Sequence, residues 1–250
     1  MPATPAWPPK SLPRLFVRTG LSEGAEVELD AAQANYLGNV MRLGTGATLL
    51  VFDGQSGEWL ARIAEVSKRS MRLVAERRTR EAESIPDVWL AFAPVKRAQT
   101  DWLVEKATEL GVARLLPVMT QRTNVERVKI ERLEAIAVEA AEQCGRTRLP
   151  EIATPIALNA LLELRDERRR LYFADEGGGK EAAGAFAPGP ALILTGPEGG
   201  FSDEERSMIR AAPNAVPVSL GPRILRAETA ALAALATFMA VAGDWRLIDS

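Results

Sequence analysis

Short apolar segments separated by polar turns occupy the first third of the chain. The turns DGQSG and SKRS are short enough to join neighbouring strands as β-hairpins. One helix interrupts this pattern, beginning at the N-cap residue Asp30 and ending before Gly44. We therefore expect residues 13–80 to form a small antiparallel β-barrel. The strands predicted from the apolar runs are 15–17, 47–54, 57–66 and 70–77.

Beyond residue 80 the pattern changes to strands that alternate with helices. The polar segment 79–86, which ends in proline, marks the expected domain boundary. Because alternating elements are typical of a mostly parallel sheet covered by helices on both faces, we predict an α/β domain at 86–250. Strands are predicted at 88–93, 113–118, 171–174, 191–195 and 215–219, and helices at 99–110, 126–144, 158–169, from Ser202 and after Leu225.

Two segments are expected to carry little regular structure. The proline-rich residues 1–12 contain no apolar run of the kind that a signal peptide needs, so they are interpreted as a disordered tail. Residues 175–190, DEGGGKEAAGAFAPGP, are interpreted as a mobile connector, with a lid as the alternative. The longest uncharged stretch, 229–243, is too short to span a bilayer and predicts a buried helix.

Composition narrows the possible chemistry more than it identifies a function. The 250 residues are 47% hydrophobic, carry a formal net charge of −2 and include no histidine, which excludes His-based acid/base catalysis and disfavours transition-metal sites. Cys144 is the only cysteine, so the chain has no intrachain disulfide and a cytoplasmic location is expected. Cys144 shares a helical apolar stripe with Leu133, Ile136 and Ala140, which predicts a core position.

The segment LILTGPEGGF, residues 192–201, is a strand that runs into a glycine-rich turn. Gly196, Gly199 and Gly200 allow the backbone to approach a ligand closely. Ser202 with Glu205 forms a capping box at the start of the next helix. A well-capped strand-to-helix turn without a ligand is the simpler explanation of this pattern.

The segment SLGPRILRAETA, residues 219–230, places charged groups directly before a very apolar helix. Arg223, Arg226 and Glu228 are poorly explained as a solvated surface at the mouth of a buried helix. Two such turns can form the walls of one small-molecule site. A buried structural ion pair between Arg226 and Glu228 is the alternative.

Positive charge is concentrated in the predicted barrel, although the whole chain is nearly neutral. Seven basic residues between Arg62 and Arg80 face only Glu65 and Glu76 within that stretch. This concentration suits a nucleic-acid backbone, whereas a strand edge kept basic against aggregation is the alternative. Arg146 and Arg148, after the helix ending at Cys144, are candidates for phosphate contacts or for compensating the helix dipole.

Five ordered stretches resemble the RsmE-type 16S ribosomal RNA (uracil-N3)-methyltransferases of the SPOUT superfamily. They are MRLGTGATLLVFDG, VEKATELGVARLLPV, EAAEQCGRTRLPEI, LILTGPEGGFSDEE and LGPRILRAETAALAAL. The resemblance implies a PUA-like RNA-binding barrel followed by a trefoil-knotted parallel-sheet domain. It also implies S-adenosylmethionine as cofactor, 16S ribosomal RNA in the assembled 30S subunit as partner, a homodimer, and neither metal nor membrane. Another SPOUT enzyme acting on transfer RNA or a ribose 2′-hydroxyl, and a non-catalytic RNA-binding ribosome-assembly factor, remain alternatives.

The resemblance also assigns residues. Arg226 and Glu228 correspond to the family's polar pair and are the predicted catalytic residues, with Ala227 between them where relatives often carry threonine. Arg226 would stabilise charge on the uracil oxygens, and Glu228 or solvent would accept the N3 proton. The cofactor-binding residues would be Leu194, Thr195, Gly196, Glu198, Gly199, Gly200, Ser219, Leu220, Gly221, Ile224 and Leu225. The predicted RNA-binding residues are Arg14, Arg18, Arg69, Arg72, Arg77, Arg78, Arg146 and Arg148.

Overall fold

A computed structural model describes residues 12–67, 70–125 and 127–245. The chain divides into two compact units, one comprising the described part of Met1–Ser84 together with Ala141–Leu149, and the other comprising Ile85–Ala140 and Pro150–Ser250. The tail predicted at 1–12, except its last residue, and the predicted RNA-binding residue Arg69 lie outside the described residues. The chain passes from the first unit to the second between Ser84 and Ile85, within the polar segment 79–86, and residues 141–149 group with the first unit.

The first unit contains a five-stranded sheet in the order β1-β3-β4-β5-β2. Most neighbours are antiparallel, but β1 pairs with β3 in parallel, so the expectation of purely antiparallel strands is wrong. The chain between β1 and β3 carries a strand and a helix, which is enough for a crossover connection. The strands are β1 Arg14–Phe16, β2 Glu26–Leu29, β3 Thr48–Phe52, β4 Glu58–Val66 and β5 Met71–Arg80.

The predicted helix of the first unit is shorter than expected. Helix α1, Ala31–Asn35, begins at the predicted N-cap residue Asp30, whose side chain accepts from the amide of Gln33 at 2.8 Å while Gln33 reaches back to the amide of Asp30. A π-helical turn, Tyr36–Val40, follows and ends the helix ahead of Gly44. Strand β2, which sequence reasoning missed, is only four residues long.

A buried ionic network joins the sheet of the first unit to residues 141–146. Glu58, whose side chain is 3% exposed, pairs with Arg14 and Arg80 at 2.7 Å each. Arg14 also donates to the carbonyls of Ala141 at 2.8 Å and Arg146 at 2.9 Å, and Arg80 donates to that of Gly145 at 2.7 Å. These are carbonyls at and just beyond a helix C-terminus, where unsatisfied acceptors accumulate. Arg14 therefore closes a structural network.

The second unit is built on an eight-stranded sheet, as the alternation of strands and helices predicts. Seven of its strands follow the order β11-β13-β10-β12-β6-β7-β8, β9 pairs with β7, and every pair is parallel. Side chains of β12 alternate between two buried clusters, Ile193 in one and Leu192 with Leu194 in the other, so both faces of the sheet are covered. The strands are β6 Val88–Phe92, β7 Arg114–Met119, β8 Glu151–Ile152, β9 Ile156–Ala157, β10 Arg170–Ala174, β11 Lys180–Glu181, β12 Ala191–Thr195 and β13 Ala215–Ser219.

The longer helices of the second unit lie close to their predicted places. A short strand, Lys180–Glu181, and a short helix, Ala182–Ala185, form within the segment 175–190, which was expected to carry little regular structure. The helix expected at 158–169 stops at Leu164 because the backbone turns extended at Arg165, and Cys144 at the end of α3 is only half-buried, not a core residue. The helices after α1 are α2 Arg97–Glu109, α3 Ile130–Cys144, α4 Leu158–Leu164, α5 Ala182–Ala185, α6 Asp203–Ala211 and α7 Ala227–Val241.

This topology brings three loops to one edge of the sheet. Strand β10 lies between β12 and β13 and is parallel to both, so the carboxyl ends of the three strands meet. The loops that follow them are 175–179, 196–202 and 220–226. Ligands of open α/β sheets bind at this edge. Within the described part of the chain, no helix is long and apolar enough to cross a bilayer, and no cluster of His, Cys, Asp or Glu could hold a metal ion.

Candidate functional site

A cavity of about 220 Å³ lies where these three loops meet. It gathers nine of the eleven residues that sequence reasoning assigned to a cofactor. The assignment itself stays a prediction, but the residues do share one concave site. The nine lining residues are Thr195, Gly196, Glu198, Gly200, Ser219, Leu220, Gly221, Ile224 and Leu225.

The other two residues of that prediction do not line the cavity. The side chain of Leu194 is fully buried, because strand alternation places it with Leu192 in the core on one face of the sheet. The carbonyl of Gly199 instead accepts a hydrogen bond from Arg122 Nη1 at 2.7 Å. Direct cofactor contact by Leu194 and Gly199 is therefore not supported by their positions.

Two glycines of the 196–202 loop lie where a side chain would crowd its neighbours. A Cβ atom at Gly196 would lie 3.2 Å from the ring of Phe201, and one at Gly200 would lie 2.8 Å from Oε1 of Glu176. Gly200 also has φ of +67°, which side chains disfavour. The loop ends in the predicted capping box, in which Ser202 accepts from the amide of Glu205 and Glu205 accepts from that of Ser202. The glycines thus shape the wall of the cavity as well as the turn.

The third wall of the cavity, the loop after β10, is charged and was not predicted as part of the site. Asp175, Glu176 and Arg206 line it. Asp175 pairs with Arg206 at 3.3 Å and Arg210 at 2.5 Å, and Glu176 pairs with Arg206 at 3.1 Å. The start of the segment interpreted as a connector is therefore fixed by ion pairs. The signal available in the sequence was the acidic pair directly after a buried strand.

The proposed catalytic pair lies at the start of α7. Arg226 is the exposed N-cap residue of this helix, and Glu228 in its first turn is 7% exposed. Among the described residues the two form no ion pair, which contradicts the structural alternative, and Glu228 Oε2 has no hydrogen-bond partner. Neither residue lines the cavity, although Leu225 and Ala227 on either side of Arg226 do.

The basic surface of the first unit is more neutral than the sequence suggests. Arg72 pairs with Glu26 and Glu65, and these hydrogen bonds raise the pKa of its guanidinium. Two further arginines of the basic stretch are paired with acids that lie outside it in the sequence. Arg80 pairs with Glu58, and Arg78 pairs with Glu81. In the described part of this unit, the exposed arginines without an ion pair are Arg18, Arg42, Arg77 and Arg148.

Two residues of the predicted RNA-binding set are buried. Arg14 is 8% exposed and Arg146 is 5% exposed. Arg14 is held in the ionic network of Glu58, and Arg146 lies 3.5 Å from Glu83. Because both side chains are buried within the first unit, their positions do not support the prediction that they contact RNA. Arg18, Arg77 and Arg148 remain exposed, whereas Arg72 and Arg78 are exposed in part and paired.

Comparison with known proteins gives matches over both units. A family model described as an RNA methyltransferase domain matches residues 82–239, and one described as an RNA methyltransferase PUA domain matches residues 29–76. Ribosomal RNA small subunit methyltransferase E of Synechocystis sp. is 34% identical, over 87% of this chain and 74% of that protein. The enzyme of the same name from Rickettsia conorii is 29% identical, over 89% of this chain and 93% of that protein.

Solved structures extend the likeness to three dimensions. A methyltransferase from Legionella pneumophila in complex with the cofactor SAM has a TM-score of 0.86 at 30% identity and covers 93% of this chain and 99% of its own. Ribosomal RNA small subunit methyltransferase E from Neisseria gonorrhoeae, bound to S-adenosyl methionine, has a TM-score of 0.85 at 28% identity and covers 94% and 100%.

Proposed function

We propose, from the premise that this chain belongs to the RNA methyltransferase family of ribosomal RNA small subunit methyltransferase E, that it methylates N3 of a uridine in 16S ribosomal RNA. It is an S-adenosylmethionine-dependent RNA methyltransferase. The observation that carries the proposal is that one cavity, at the carboxyl ends of β10, β12 and β13, gathers nine residues assigned to the cofactor. The assembled 30S subunit as substrate, a homodimer, a trefoil knot and a cytoplasmic location belong to the same proposal.

The residues of the cavity fit an adenosyl cofactor. Gly196 and Gly200 line the cavity without side chains of their own, so their backbone donors and acceptors can approach a ligand closely. Leu220 and Leu225 supply apolar surface for an adenine ring. S-adenosylmethionine, when bound, supplies the methyl group. The described residues thus provide both the polar backbone and the dry wall that such a ligand needs.

Arg226 is the proposed stabiliser of the reacting base. Loss of the imide proton from uracil N3 places negative charge on the two flanking carbonyl oxygens, and a positioned guanidinium lowers the free energy of that anion. Arg226 is exposed next to cavity-lining Leu225 and Ala227. Since N3 lies on the Watson–Crick edge, the uridine must be unpaired when it meets this group.

Glu228 is the proposed proton acceptor. A buried carboxylate oxygen without a donor is uncommon in folded proteins and calls for a functional explanation. Glu228 Oε2 is such an atom, in the first turn of the helix that Arg226 caps. No histidine is present to perform this task. A carboxylate that receives the N3 proton is consistent with its position and its free acceptor sites.

Labelled S-adenosylmethionine and small ribosomal subunits lacking the modification test the proposal. We expect label on N3 of one uridine, and Arg226→Ala should abolish transfer while leaving cofactor binding, measured by calorimetry, largely intact. Arg168→Ala, which removes an arginine 90% exposed in the same unit, is the matched control. Label on a ring carbon or a ribose would refute N3 specificity, and binding without transfer to any RNA would support the non-catalytic alternative.

A further inference from the structure

The loop after β10 holds a carboxylate in a fixed position at the cavity. Asp175, whose side chain is 1% exposed, anchors the loop by accepting from the amide of Gly177 at 2.8 Å and from Arg210 at 2.5 Å. Its own amide donates to the carbonyl of Val218 at 3.1 Å. The next residue, Glu176, lines the cavity with a side chain that is 55% exposed. Glu176 is therefore exposed to a ligand yet attached to a rigid base.

The carboxylate of Glu176 lies between Arg206 and Gly200. On one side Arg206 Nη2 donates to its Oε1 at 3.1 Å, and Arg206 also pairs with Asp175 at 3.3 Å. On the other side the same Oε1 lies 2.8 Å from the point where a Cβ atom of Gly200 would stand. Any side chain at position 200 would displace this carboxylate. The absence of a side chain at Gly200 thus makes room for Glu176.

Charge and acceptor capacity decide what this carboxylate can bind. A carboxylate offers about four acceptor sites, and Arg206 uses one of them. Within the described chain Oε2 receives no hydrogen bond. The charges of Asp175 and Glu176 are balanced by Arg206 and Arg210, so the cluster does not need a cationic ligand. Two neutral hydroxyl donors match the remaining acceptor sites better than an ammonium group does.

We propose that Glu176 accepts hydrogen bonds from the vicinal hydroxyls of the adenosyl ribose. This inference rests on the proposed function, because it takes the cavity to be the S-adenosylmethionine site. A carboxylate accepting from a ribose diol is a recurrent way for proteins to bind adenosyl ligands. Glu176 would then determine specificity for a ribonucleoside cofactor, while Arg206 and Asp175 position its carboxylate.

Calorimetry on the full chain tests the assignment without requiring activity. Glu176→Gln keeps the size of the side chain but loses the charge and one acceptor oxygen, so the Kd of S-adenosylmethionine should rise by about tenfold to a hundredfold. The same loss is expected for 5′-methylthioadenosine, which keeps the ribose and lacks the amino-acid group. Glu163→Gln, at an exposed carboxylate of α4 away from the cavity, should leave both Kd values unchanged.

A 2′-deoxy analogue of 5′-methylthioadenosine completes the comparison. In the unmodified protein, removing the 2′-hydroxyl should weaken binding about tenfold, and in Glu176→Gln the same removal should cost much less. An equal penalty in both proteins would overturn the inference, as would unchanged binding by Glu176→Gln. A loss seen with S-adenosylmethionine but not with 5′-methylthioadenosine would assign the carboxylate to the ammonium group instead. These failures leave the proposed function standing, whereas an unmodified protein that binds neither ligand would refute both.

Discussion

Replacing Glu58 by glutamine tests how the first unit holds together. Glu58 is the only acid in the described part of the ionic network that joins Arg14 and Arg80 to the carbonyls of residues 141–146. Its side chain is 3% exposed and that of Arg14 is 4% exposed. Glu58→Gln removes the negative charge while keeping the shape, so Arg14 is left as a buried cation with backbone acceptors but no counter-charge.

The expected cost follows from burial. Removing one partner of a buried ion pair destabilises a protein by about 3–5 kcal/mol, because the remaining charge stays desolvated. Arg14 retains three backbone carbonyls, those of Ala141, Glu142 and Arg146, which places the estimate at the lower end, about 3 kcal/mol. For a unit of this size, about 3 kcal/mol corresponds to a fall in Tm of roughly 12–24 °C.

Thermal unfolding followed by circular dichroism, with hydrogen exchange of the β4 amides to assign the transition to the first unit, measures this cost. Glu76→Gln is the matched control, since Glu76 pairs with Arg62 at 2.8 Å but both side chains are more than a third exposed. Such a pair contributes less than about 1 kcal/mol. If Glu58→Gln and Glu76→Gln destabilise the unit equally, the reasoning from burial is refuted.

Three further predictions follow from the structure. Burial alone would raise the pKa values of Glu58 and Asp53, but hydrogen bonds from arginines to Glu58 and from loop amides to Asp53 outweigh burial and hold both pKa values below the ordinary ones. The stability that these two carboxylates contribute is therefore fully present above their unfolded-state pKa values and is lost as the pH falls through the folded-state values. Urea unfolding as a function of pH measures this loss. Gly200→Ala should raise the Kd of S-adenosylmethionine at least tenfold in calorimetry, because of its positive φ and the Glu176 carboxylate. Arg77→Gln with Arg148→Gln should weaken RNA binding and reduce the slope of log K against log salt by about 0.7 per lost phosphate contact.

Each of these predictions has a control within the same chain. The acid sensitivity should flatten in Glu58→Gln, and an unchanged profile would contradict the pKa argument. Gly184→Ala, at a glycine where a Cβ atom meets nothing, should leave the cofactor Kd unchanged. Arg62→Gln removes an arginine already paired with Glu76, so a salt slope that falls as much as for Arg77 would show that pairing does not matter.

Sequence patterns predicted most of the strands and the main loops because these depend on neighbouring residues, whereas the short strands β2, β8, β9 and β11 were missed. The apolar runs of β3 and β12 are buried along their whole length or nearly so, and the cap residues Asp30 and Ser202 act through hydrogen bonds only three residues away. The cavity could also be predicted from the sequence, since two of its three walls are continuous segments of the chain. Local interactions of this kind leave a readable signal in one chain.

The features that sequence reasoning missed depend on distant residues. From the sequence alone Arg14 is expected to be an exposed cation, but the fold places it beside Glu58, forty-four positions away. From the sequence alone Glu176 is expected to be part of a connector, but in the structure Arg206, thirty positions away, holds its carboxylate. A count of charges along the chain does not reveal which acids and arginines the fold brings together as ion pairs. The basic stretch was overestimated for the same reason, because Glu26 is forty-six positions from Arg72.

The corrected charge distribution bears on which substrate the enzyme recognises. The described part of the first unit retains four exposed, unpaired arginines, namely Arg18, Arg42, Arg77 and Arg148. At about 0.7–0.9 per phosphate contact, contacts by these four arginines would contribute roughly 3–4 to the salt slope. We therefore expect these arginines to contribute only modestly to the binding of unstructured RNA, and we propose that a surface shaped by assembly contributes the remainder. Methylation of assembled small subunits should accordingly exceed that of free 16S RNA at equal concentration and physiological salt; equal rates would show that the four arginines, with the rest of the chain, suffice.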